Sequence, residues 1–501
     1  MQTKYVFVTG GVVSGLGKGI TVASLGRLLK ARGYRVTVQK FDPYINIDPG
    51  NLNPYEHGEV FITDDGAEAD LDLGHYERFI DESLTGNSSM TMGKIYWSVL
   101  NKERQGDYHG ATVQVIPHIT NEIKERIRQS RSADIVITEV GGTVGDIESL
   151  PILEAIRQIA HDVKRENVVF VHITLVPHLD YIGEMKTKPT QHSVKELLSR
   201  GIQPNIIVCR SDRQIPDDMR EKLALFCNVE SRCIIQNINA ESIYEVPLMF
   251  EEENFADTIC KKLNLTPREP DLAEWKALVN KHKNPKKQVT VGLVGRYVSL
   301  WDSYLSIVES LNHAGIHQDV HINIEWISDK DVEKDESCLS KVDGIVLADC
   351  IGEECTIGKI NTVLYAKRNN IPFFGIGSGI HNAFVAFTKQ MGQEIIIRIN
   401  TRRRGAMYCK LANGSKVHHA YGTDLIEERY RSYCEITPKQ HEYLASLGFI
   451  LSEKAETAEL EDHPWFVCVQ FHPEYKSRIT KTSPLFDCFL KAMKKQILEE
   501  V

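Results

Sequence analysis

A glycine-rich stretch near the amino terminus constrains the fold of this chain more than any other feature. Residues 10–19 read GGVVSGLGKG, after a short apolar run from Tyr5 to Val8 and before apolar residues at helical spacing from Ile20 to Leu29. This order of strand, glycine loop and helix predicts that backbone N–H groups of the loop wrap a polyphosphate at the positive end of the helix. Lys18 would then neutralise the outer phosphates.

The loop is a variant of the common phosphate loop. The standard pattern, G-x-x-x-x-G-K-[ST], ends on a hydroxyl residue that binds Mg²⁺, whereas Gly19 follows Lys18 here and Val12 stands inside the loop. A glycine-rich turn with an incidental lysine is the alternative interpretation of this stretch taken alone.

Composition narrows the class of protein. The 501 residues suffice for two or three domains, and 42% hydrophobic with 25% charged residues is ordinary for a globular protein. A formal net charge of -9 argues against a nucleic-acid-binding protein. Because no apolar stretch approaches a membrane span, no signal peptide is apparent and the eleven cysteines lack paired spacing, we expect a cytoplasmic protein with reduced thiols.

Carboxylates follow at positions suited to hold a metal ion. Residues 64–72 form an acidic run, and a solvated loop accounts for most of it, but one or two carboxylates would hold Mg²⁺ if Lys18 binds a nucleoside triphosphate. Glu139 lies near the end of an apolar run from Asp134 that predicts a buried parallel strand, whose carboxyl end faces the ligand crevice. Glu139 is therefore a candidate Mg²⁺ ligand, and a strand-end ion pair with a lysine is the alternative.

A pair of lysines predicts a second polyphosphate site. Pro189 is expected to prevent an immediate helix, so that Lys186 and Lys188 project the same way from an extended backbone. On spacing alone, a solvated lysine pair is the favoured alternative. Lys222 lies on the next helical segment and would join the same pocket.

The pattern breaks near residues 267–270, and Lys281 to Lys287 is polar. We therefore predict a first domain over residues 1–266, a linker over 267–287 and a second α/β domain over 288–501. Further strands are predicted at Arg35–Lys40, Val168–Leu175 and Ile206–Cys209, and then at Val289–Val294, Ile322–Trp326, Gly344–Leu347 and Pro372–Ile376.

Long ordered strings in the first 265 or so residues resemble the CTP synthase family. The matching strings are the loop at 10–19, FDPYIN at 41–46, the run 57–79, RQGDY at 104–108, GGTVGDIESLP at 141–151 and the run 186–197. The resemblance implies an α/β fold, with a P-loop-type parallel-sheet domain followed by a flavodoxin-like class I glutamine amidotransferase domain. It also implies a ligase that makes CTP from UTP, in which ATP phosphorylates the 4-oxygen of UTP and ammonia then displaces phosphate.

The resemblance implies roles for individual residues, and all of these residues are intact. Lys18 and Lys40 would stabilise charge on the ATP phosphates and on the transferring group, and Asp72 with Glu139 would hold Mg²⁺. The implied ATP-binding positions are Ser14, Gly15, Leu16, Gly17, Lys18, Gly19 and Asp72, and the implied UTP-binding positions are Ser14, Lys186, Lys188, Gln191 and Lys222. Asp146 and Glu148 match the turn where product CTP binds and inhibits.

The carboxyl half resembles the class I glutamine amidotransferase domain that feeds ammonia to the ligase, but it departs from that family where the chemistry is done. The family's nucleophile elbow, GICLGMQ, reads GIGSGIH at 375–381, so Gly377 occupies the nucleophile's position and has no side chain to attack glutamine. Ser378 is not expected to replace it, because the G-x-S-x-G pattern is not formed. The family's PGGFG becomes ADCIG at 348–352, where the Asp349 carboxylate would repel a developing oxyanion.

Other parts of the carboxyl half have also changed. His472 and Glu474 survive as a base and its orienter without a nucleophile, the basic segment is altered at 428–435, and the domain looks shortened ahead of 401–405. Because several independent parts of the glutaminase site have changed, we predict that this domain has lost its glutaminase activity. In the ligase half, His109 stands where family members typically carry an apolar residue on the ammonia route. It would gate the passage, bind the nucleophile there or reshape the route, with a tolerated surface histidine as the alternative.

We therefore expect a ligase that uses UTP, ATP, Mg²⁺ and free ammonia or another small amine, giving CTP or an N4-substituted CTP. The alternative is a non-catalytic or regulatory paralogue that binds nucleotides and co-assembles with an active enzyme, although intact Lys18, Lys40, Asp72 and Glu139 argue against it. A phosphate-loop ATPase of the partitioning type does not explain residues 186–191. The resemblance also implies a homotetramer that can stack into filaments. GTP activates the glutaminase step in this family, so we expect that GTP has lost that role here.

Overall fold

The structure, a computed structural model, describes residues 2–130, 133–266, 268–349, 355–392, 398–400 and 404–499. The predicted features at 267, 350–352 and 401–403 lie outside the described residues. By its internal contacts the chain divides into two compact units, a first unit of Met1–Pro49 with His75–Lys276 and a second unit of Gly50–Gly74 with Ala277–Val501.

The strands and α-helices, in chain order, have the following bounds. The strands are β1 (Lys4–Gly10), β2 (Val36–Asp42), β3 (Phe61–Ile62), β4 (Glu68–Ala69), β5 (Ser89–Thr91), β6 (Ile135–Val140), β7 (Val168–Leu175), β8 (His178–Leu179), β9 (Glu184–Met185), β10 (Ile206–Arg210), β11 (Ile234–Asn237), β12 (Lys287–Gly295), β13 (Val320–Ser328), β14 (Gly344–Leu347), β15 (Phe373–Ile376), β16 (Arg398–Asn400), β17 (Gly405–Lys410), β18 (Leu425–Tyr430), β19 (Tyr433–Glu435), β20 (Phe449–Leu451), β21 (Thr457–Leu460) and β22 (Phe466–Val469). The helices are α1 (Lys18–Ala31), α2 (Pro54–His57), α3 (Asp72–Ile80), α4 (Met92–Gln105), α5 (Thr120–Arg128), α6 (Leu150–Asp162), α7 (Lys188–Ser199), α8 (Asp217–Cys227), α9 (Val246–Glu252), α10 (Phe255–Lys262), α11 (Ala273–Lys283), α12 (Leu305–Gln318), α13 (Asp329–Lys334), α14 (Ile357–Asn369), α15 (Ser378–Gln390), α16 (Lys416–Tyr421), α17 (Pro438–Ser446) and α18 (Pro484–Glu499).

The first unit is built on a seven-stranded sheet of order β11-β10-β7-β1-β6-β2-β5. Every pairing in it is parallel. β1, β6 and β7 are buried along nearly their whole length, as near-continuous apolar runs in a parallel sheet covered on both faces should be. The strands and the helix predicted for this part of the chain therefore form. Because the strands are parallel, the carboxyl ends of β7, β1, β6 and β2 lie on the same side of the sheet.

The second unit has its own seven-stranded sheet, of order β13-β12-β14-β15-β22-β21-β20. The strands from β13 to β22 in that order pair in parallel, and β21 and β20 continue antiparallel. The strands predicted in this half all form, with boundary differences of a few residues. Parallel strands joined through helices again direct their carboxyl ends to one edge of the sheet.

Residues 50–74 belong to the second unit by their contacts. Arg429 is fully buried, and its Nε donates to Asp64 at 2.6 Å while its Nη1 donates to the carbonyl of Ile62 at 3.0 Å. Glu59 accepts from the backbone N–H of Ser306 at 3.0 Å and from its hydroxyl at 2.6 Å. The acidic run is consequently not a solvated loop throughout.

The stretch predicted as a linker, residues 267–287, contains the whole of helix α11 (Ala273–Lys283). Trp275 near its start is fully buried, and its indole N–H donates to the carbonyl of Tyr244 at 2.8 Å. The limits of the two predicted domains remain a prediction. Within the described residues, no helix combines the length and the apolar character needed to cross a membrane.

Candidate active sites of the two units

The glycine loop of the first unit lies between the end of β1 and the start of α1. Gly15 and Gly17 have φ of 78° and 81°, a backbone region that glycine adopts without strain, and Gly17 is the N-cap of α1. Val12 also has a positive φ, 75°, although a β-branched residue adopts it at a cost of about 1–3 kcal/mol. Such stored strain is typical of ligand-binding loops.

Lys18 extends back over the loop from the first turn of α1. Its Nζ donates to the carbonyl of Gly142 at 2.7 Å, just beyond the end of β6. A Cβ at Gly10 would lie 2.7 Å from Cδ of Lys18, so a side chain there would displace the Lys18 side chain from its present path. The geometry fits a cation held ready at the mouth of a phosphate-binding loop.

Lys40 and Glu139 are register partners on the neighbouring parallel strands β2 and β6. Both are nearly buried, at 7% and 2% exposure. Nζ of Lys40 lies 3.5 Å from Asp42, and the phenol of Tyr76 donates to Oε2 of Glu139 at 2.5 Å. The first unit thus brings Lys40 and Glu139 together near the carboxyl ends of β2 and β6, and their roles stay a prediction.

Glu139 offers carboxylate oxygen, which is the ligand type that Mg²⁺ prefers. Within the described residues, no group of three or more His, Cys, Asp or Glu is arranged to hold a metal ion. Mg²⁺ commonly completes its coordination with phosphate oxygens and water. Asp72 is the first residue of α3, and its N–H donates to Oδ1 of Asp70 at 2.9 Å. Asp72 belongs to the second unit, and its pairing with Glu139 stays a prediction.

The predicted UTP-binding residues lie on and around α7 and α8. Lys186 precedes α7 and pairs with Glu184 at 2.6 Å, while Lys188 is exposed at the first position of the helix. Gln191 donates to the hydroxyl of Thr187 at 3.1 Å, and Lys222 is exposed on α8.

The expectation that Pro189 prevents an immediate helix is wrong. Pro189 stands in the first turn of α7, where its missing N–H breaks no hydrogen bond and its fixed φ suits a helix. Lys188 is therefore helical and does not share an extended backbone with Lys186. The lysines flank a helix N-terminus, which itself favours an anion.

The turn after β6 carries Asp146 and Glu148. Asp146 accepts from the Thr143 N–H at 2.6 Å and from its hydroxyl at 2.9 Å, which fixes the turn, while Glu148 is exposed. His109 lies exposed in another turn with φ of 51°, and its N–H donates to the carbonyl of Gly106 at 3.0 Å. Its placement on an amine route stays a prediction.

Gly377 in the second unit sits on a sharp turn between β15 and α15. Its φ of 58° and ψ of -113° are strained for any residue with a side chain, as at a nucleophile elbow. A Cβ added there would lie 2.9 Å from Nε2 and Cε1 of His472. His472 is buried and its Nδ1 bonds Oε1 of Glu474 at 2.7 Å. His472 and Glu474, predicted as a base and its orienter, are thus arranged beside a sharp turn whose central residue has no side chain.

Asp349 occupies the space that a nucleophile and an oxyanion would use. Its Oδ1 accepts the backbone N–H of Ser378 at 2.9 Å, its Oδ2 lies 3.7 Å from Nε2 of His472, and a Cβ on Gly377 would meet its Cγ at 2.9 Å. That Asp349 opposes an oxyanion stays a prediction. Its carboxylate accepts the N–H that follows Gly377, which is the donor that an oxyanion at an elbow of this kind would use.

The ionic cluster of Asp349, His472, Glu474 and Arg431 favours the ionised form of Asp349 and the protonated form of His472. Burial opposes ionisation of Asp349, but His472, Arg431 and the Ser378 N–H outweigh it and lower the pKa of this carboxyl. Burial likewise opposes protonation of His472, yet the carboxylates of Glu474 and Asp349 raise the pKa of its imidazole. Asp349 and Arg431 also line a cavity of about 560 Å³ in the second unit.

Two contributors escaped the sequence analysis. Tyr76, whose phenol donates to Glu139, follows Asp72 by four residues. This spacing places both residues on one face of a helix and could have indicated that Tyr76 lies near the candidate site. His172 interrupts the apolar strand VVFVHITL, and a buried histidine in such a run requires hydrogen-bond partners. The contact between Asp349 and Ser378 has no comparable local signal, because 29 residues separate the two.

Fold and site together define an α/β protein in which a phosphate-loop-type parallel-sheet domain is joined to a class I glutamine-amidotransferase domain. Residues 4–265 match the family "CTP synthase N-terminus", and residues 299–492 match "Glutamine amidotransferase class-I". The chain belongs to the CTP synthase family.

Similar curated proteins span the whole chain. A CTP synthase of Ruminiclostridium cellulolyticum is 54% identical over 527 aligned positions, covering 98% of this chain and 99% of that protein. CTP synthases of Carboxydothermus hydrogenoformans and Clostridium kluyveri are 52% and 53% identical, each covering 98% of both chains. The 527 aligned positions exceed the 501 residues of this chain, so the first relative carries residues that this chain lacks.

Proposed function

We propose that the protein is an ATP-dependent C–N ligase that aminates UTP at its 4-position and uses free ammonia or another small amine in place of glutamine. The product is CTP or an N4-substituted CTP. The observation that carries the proposal is the elbow at Gly377, which has no side chain to attack glutamine and whose neighbouring N–H is already bonded to Asp349.

The first unit supports the ligase half of the proposal. The 4-oxygen of UTP attacks the γ-phosphorus of ATP and ADP leaves; the amine nitrogen then attacks C4, phosphate leaves and the amine releases a proton. Lys18, at the mouth of the glycine loop, neutralises the ATP phosphates, and nearly buried Lys40 stabilises the charge on the transferring group. Mg²⁺, held by Glu139 and Asp72, would supply further charge neutralisation on the phosphates.

Further residues are assigned by their position. Ser14 on the exposed glycine loop, the lysines around α7, Gln191 and Lys222 bind the UTP triphosphate, and the Asp146–Glu148 turn binds product CTP as an inhibitor. We propose that the chain forms a homotetramer in the cytoplasm. GTP has no glutaminase step left to activate.

The second unit supports the amine half. Glutamine hydrolysis needs a thiolate at the elbow and an empty oxyanion hole, and the described residues at the elbow offer neither. His109, exposed on a turn of the first unit, would contact an incoming amine larger than ammonia.

The test is a product assay by mass spectrometry. The protein is incubated with UTP, ATP and Mg²⁺, and with glutamine, ammonium or a panel of small amines. We expect ADP and a cytidine nucleotide with ammonium or one of the amines and none with glutamine. CTP formed from glutamine would overturn the amine claim, and absence of both ADP and any cytidine nucleotide would favour the non-catalytic paralogue.

A further inference from the structure

A chain of buried hydrogen bonds runs behind the glycine loop of the first unit. Nδ1 of His172 lies 2.8 Å from Oγ1 of Thr9, and Nε2 lies 2.8 Å from Oγ of Ser193. The three residues are 0%, 1% and 6% exposed, respectively. Thr9 belongs to β1, which leads into the loop, His172 to β7 and Ser193 to α7, so the chain joins three separate elements.

The hydrogen bonds have a defined direction. The Thr9 hydroxyl donates to the carbonyl of Val171 at 3.3 Å, so it accepts from Nδ1–H of His172. Burial, followed by the charge of Lys18, lowers the pKa of His172 to about 3, so the imidazole is neutral at physiological pH. Its Nε2 therefore accepts the hydroxyl proton of Ser193.

Ser193 in turn fixes the backbone of the loop. A Cβ added to Gly11 would lie 1.6 Å from Oγ of Ser193, so the hydroxyl fills the space that any side chain at position 11 would need. The Gly11 N–H donates to the carbonyl of Ile173, one residue beyond His172, at 3.0 Å. The start of the glycine loop is thereby packed directly on α7 and β7.

We propose that His172 is a positioning residue that couples the ATP-binding loop to the UTP-binding helix α7, through Ser193 and Gly11. The inference rests on the proposed function, which assigns ATP to the loop and UTP to Lys188 and Gln191 on α7. When UTP engages these residues, α7 is held in place, and Ser193 and His172 hold β1 and the loop in the arrangement that receives ATP. By linkage, ATP must strengthen UTP binding by the same factor.

The experiment measures this coupling by calorimetry on the full chain with Mg²⁺. The affinity for a non-hydrolysable ATP analogue is determined with and without saturating UTP. We expect UTP to tighten binding in the wild type, and we expect Ser193→Ala to reduce that factor by about tenfold, since one buried hydrogen bond is lost. His172→Gln, whose amide oxygen still accepts from Ser193, should retain part of the coupling.

Thr190→Val is the matched control. Oγ1 of Thr190 bonds Oγ1 of Thr174 at 3.1 Å and the carbonyl of Leu175 at 3.0 Å, which join the same helix to the same strand. None of these contacts reaches the glycine loop. Thr190→Val should therefore lower thermal stability about as much as Ser193→Ala and leave the coupling factor unchanged.

The inference is overturned if the wild type shows no coupling, if Ser193→Ala keeps it in full, or if Thr190→Val loses it equally. UTP-dependent ADP release by the wild type is measured in parallel. Absence of that release counts against the proposed function, whereas normal release with unchanged coupling in the variants counts against His172 alone.

Discussion

Oδ1 of Asp349 accepts the backbone N–H of Ser378 at 2.9 Å. In an elbow of this kind, the N–H after the nucleophile donates to the oxyanion of the reaction intermediate. The second unit therefore holds an internal anion where an intermediate would develop charge, and His472 lies beside it with its orienting carboxylate intact. In the proposed function, the missing side chain at Gly377 and the N–H of Ser378 already bonded to Asp349 are two separate obstacles to glutaminase chemistry.

Gly377→Cys alone is predicted to leave the protein without glutaminase activity. The new Cβ would lie 2.9 Å from both Asp349 and His472, and the Asp349 carboxylate would raise the pKa of the thiol. Glutamate release from glutamine should stay at background. The measurement is coupled glutamate detection, together with iodoacetamide labelling at position 377 followed by peptide mass mapping.

Gly377→Cys combined with Asp349→Gly is the matched comparison. Removing the carboxylate clears the Ser378 N–H and lets His472 stabilise the thiolate, so labelling at position 377 should accelerate by about tenfold, equivalent to one pKa unit. Equal labelling rates in the single and double variants would show that Asp349 does not guard the elbow.

The ionic cluster predicts a defined dependence of stability on pH. The pKa of Asp349 is lowered from its ordinary 3.8, so its contribution is present above that value and is lost as pH falls through the lowered pKa. The pKa of His472 is raised from its ordinary 6.5, so its contribution is full below that value and is lost as pH rises through the raised pKa. The window of full stabilisation lies between the two ordinary values.

Asp349→Asn tests this window. The variant keeps an acceptor for the Ser378 N–H but removes the charge, so we expect a loss of about 2 kcal/mol in the free energy of unfolding inside the window. The loss should shrink toward alkaline pH. Urea titrations of both proteins across the pH range measure it, and a difference that is independent of pH would show that His472 is not charged beside Asp349.

The sequence was informative wherever a local pattern determined the structure. Apolar runs such as Val168–Leu175 predicted strands with nearly correct bounds, and the glycine loop predicted the strand, turn and helix around Lys18. The prediction failed at Pro189, because proline disrupts the interior of a helix but is favoured in its first turn, where Pro189 lies. Local pattern alone does not distinguish these two positions.

Contacts between distant residues were not predictable from sequence pattern. The pairing of Arg429 with Asp64 spans 365 positions, and it makes part of an apparently solvated acidic run a partly buried attachment within the second unit. Likewise, Asp349 could be recognised as unfavourable to an oxyanion, but its hydrogen bond to Ser378 depends on the packing of β14 and β15 side by side.

Lys18→Met and Lys40→Met are each predicted to abolish most of the ligase turnover. Lys40 is nearly buried and Lys18 is half-buried. Methionine keeps the apolar stem at each position but removes the charge that would stabilise the transferring phosphoryl group. We expect kcat for UTP-dependent ADP release to fall by about 10²–10³-fold in each variant. Lys195→Ala, an exposed lysine on α7, is the control and should stay within twofold, about 0.4 kcal/mol.

The attachment of residues 50–74 within the second unit gives the last prediction. Arg429 has no exposed side-chain surface, whereas the Asp64 side chain is 37% exposed, so Asp64→Asn removes a carboxylate that pairs with a buried guanidinium. We expect this variant to lose about 3 kcal/mol in the free energy of unfolding.

Arg429→Met leaves Asp64 able to reach solvent. The double variant should lose less free energy of unfolding than the two single variants added together, and this difference, the coupling energy of the double-mutant cycle, should be about 2 kcal/mol. Urea unfolding and hydrogen exchange at residues 59–63 provide the readouts. Glu453→Gln, which breaks the exposed pair with Lys410 at 3.4 Å, is the control and should change stability by less than about 0.5 kcal/mol. Additive effects of the Arg429 and Asp64 substitutions, with unchanged exchange at 59–63, would mean that this pair does not anchor the segment.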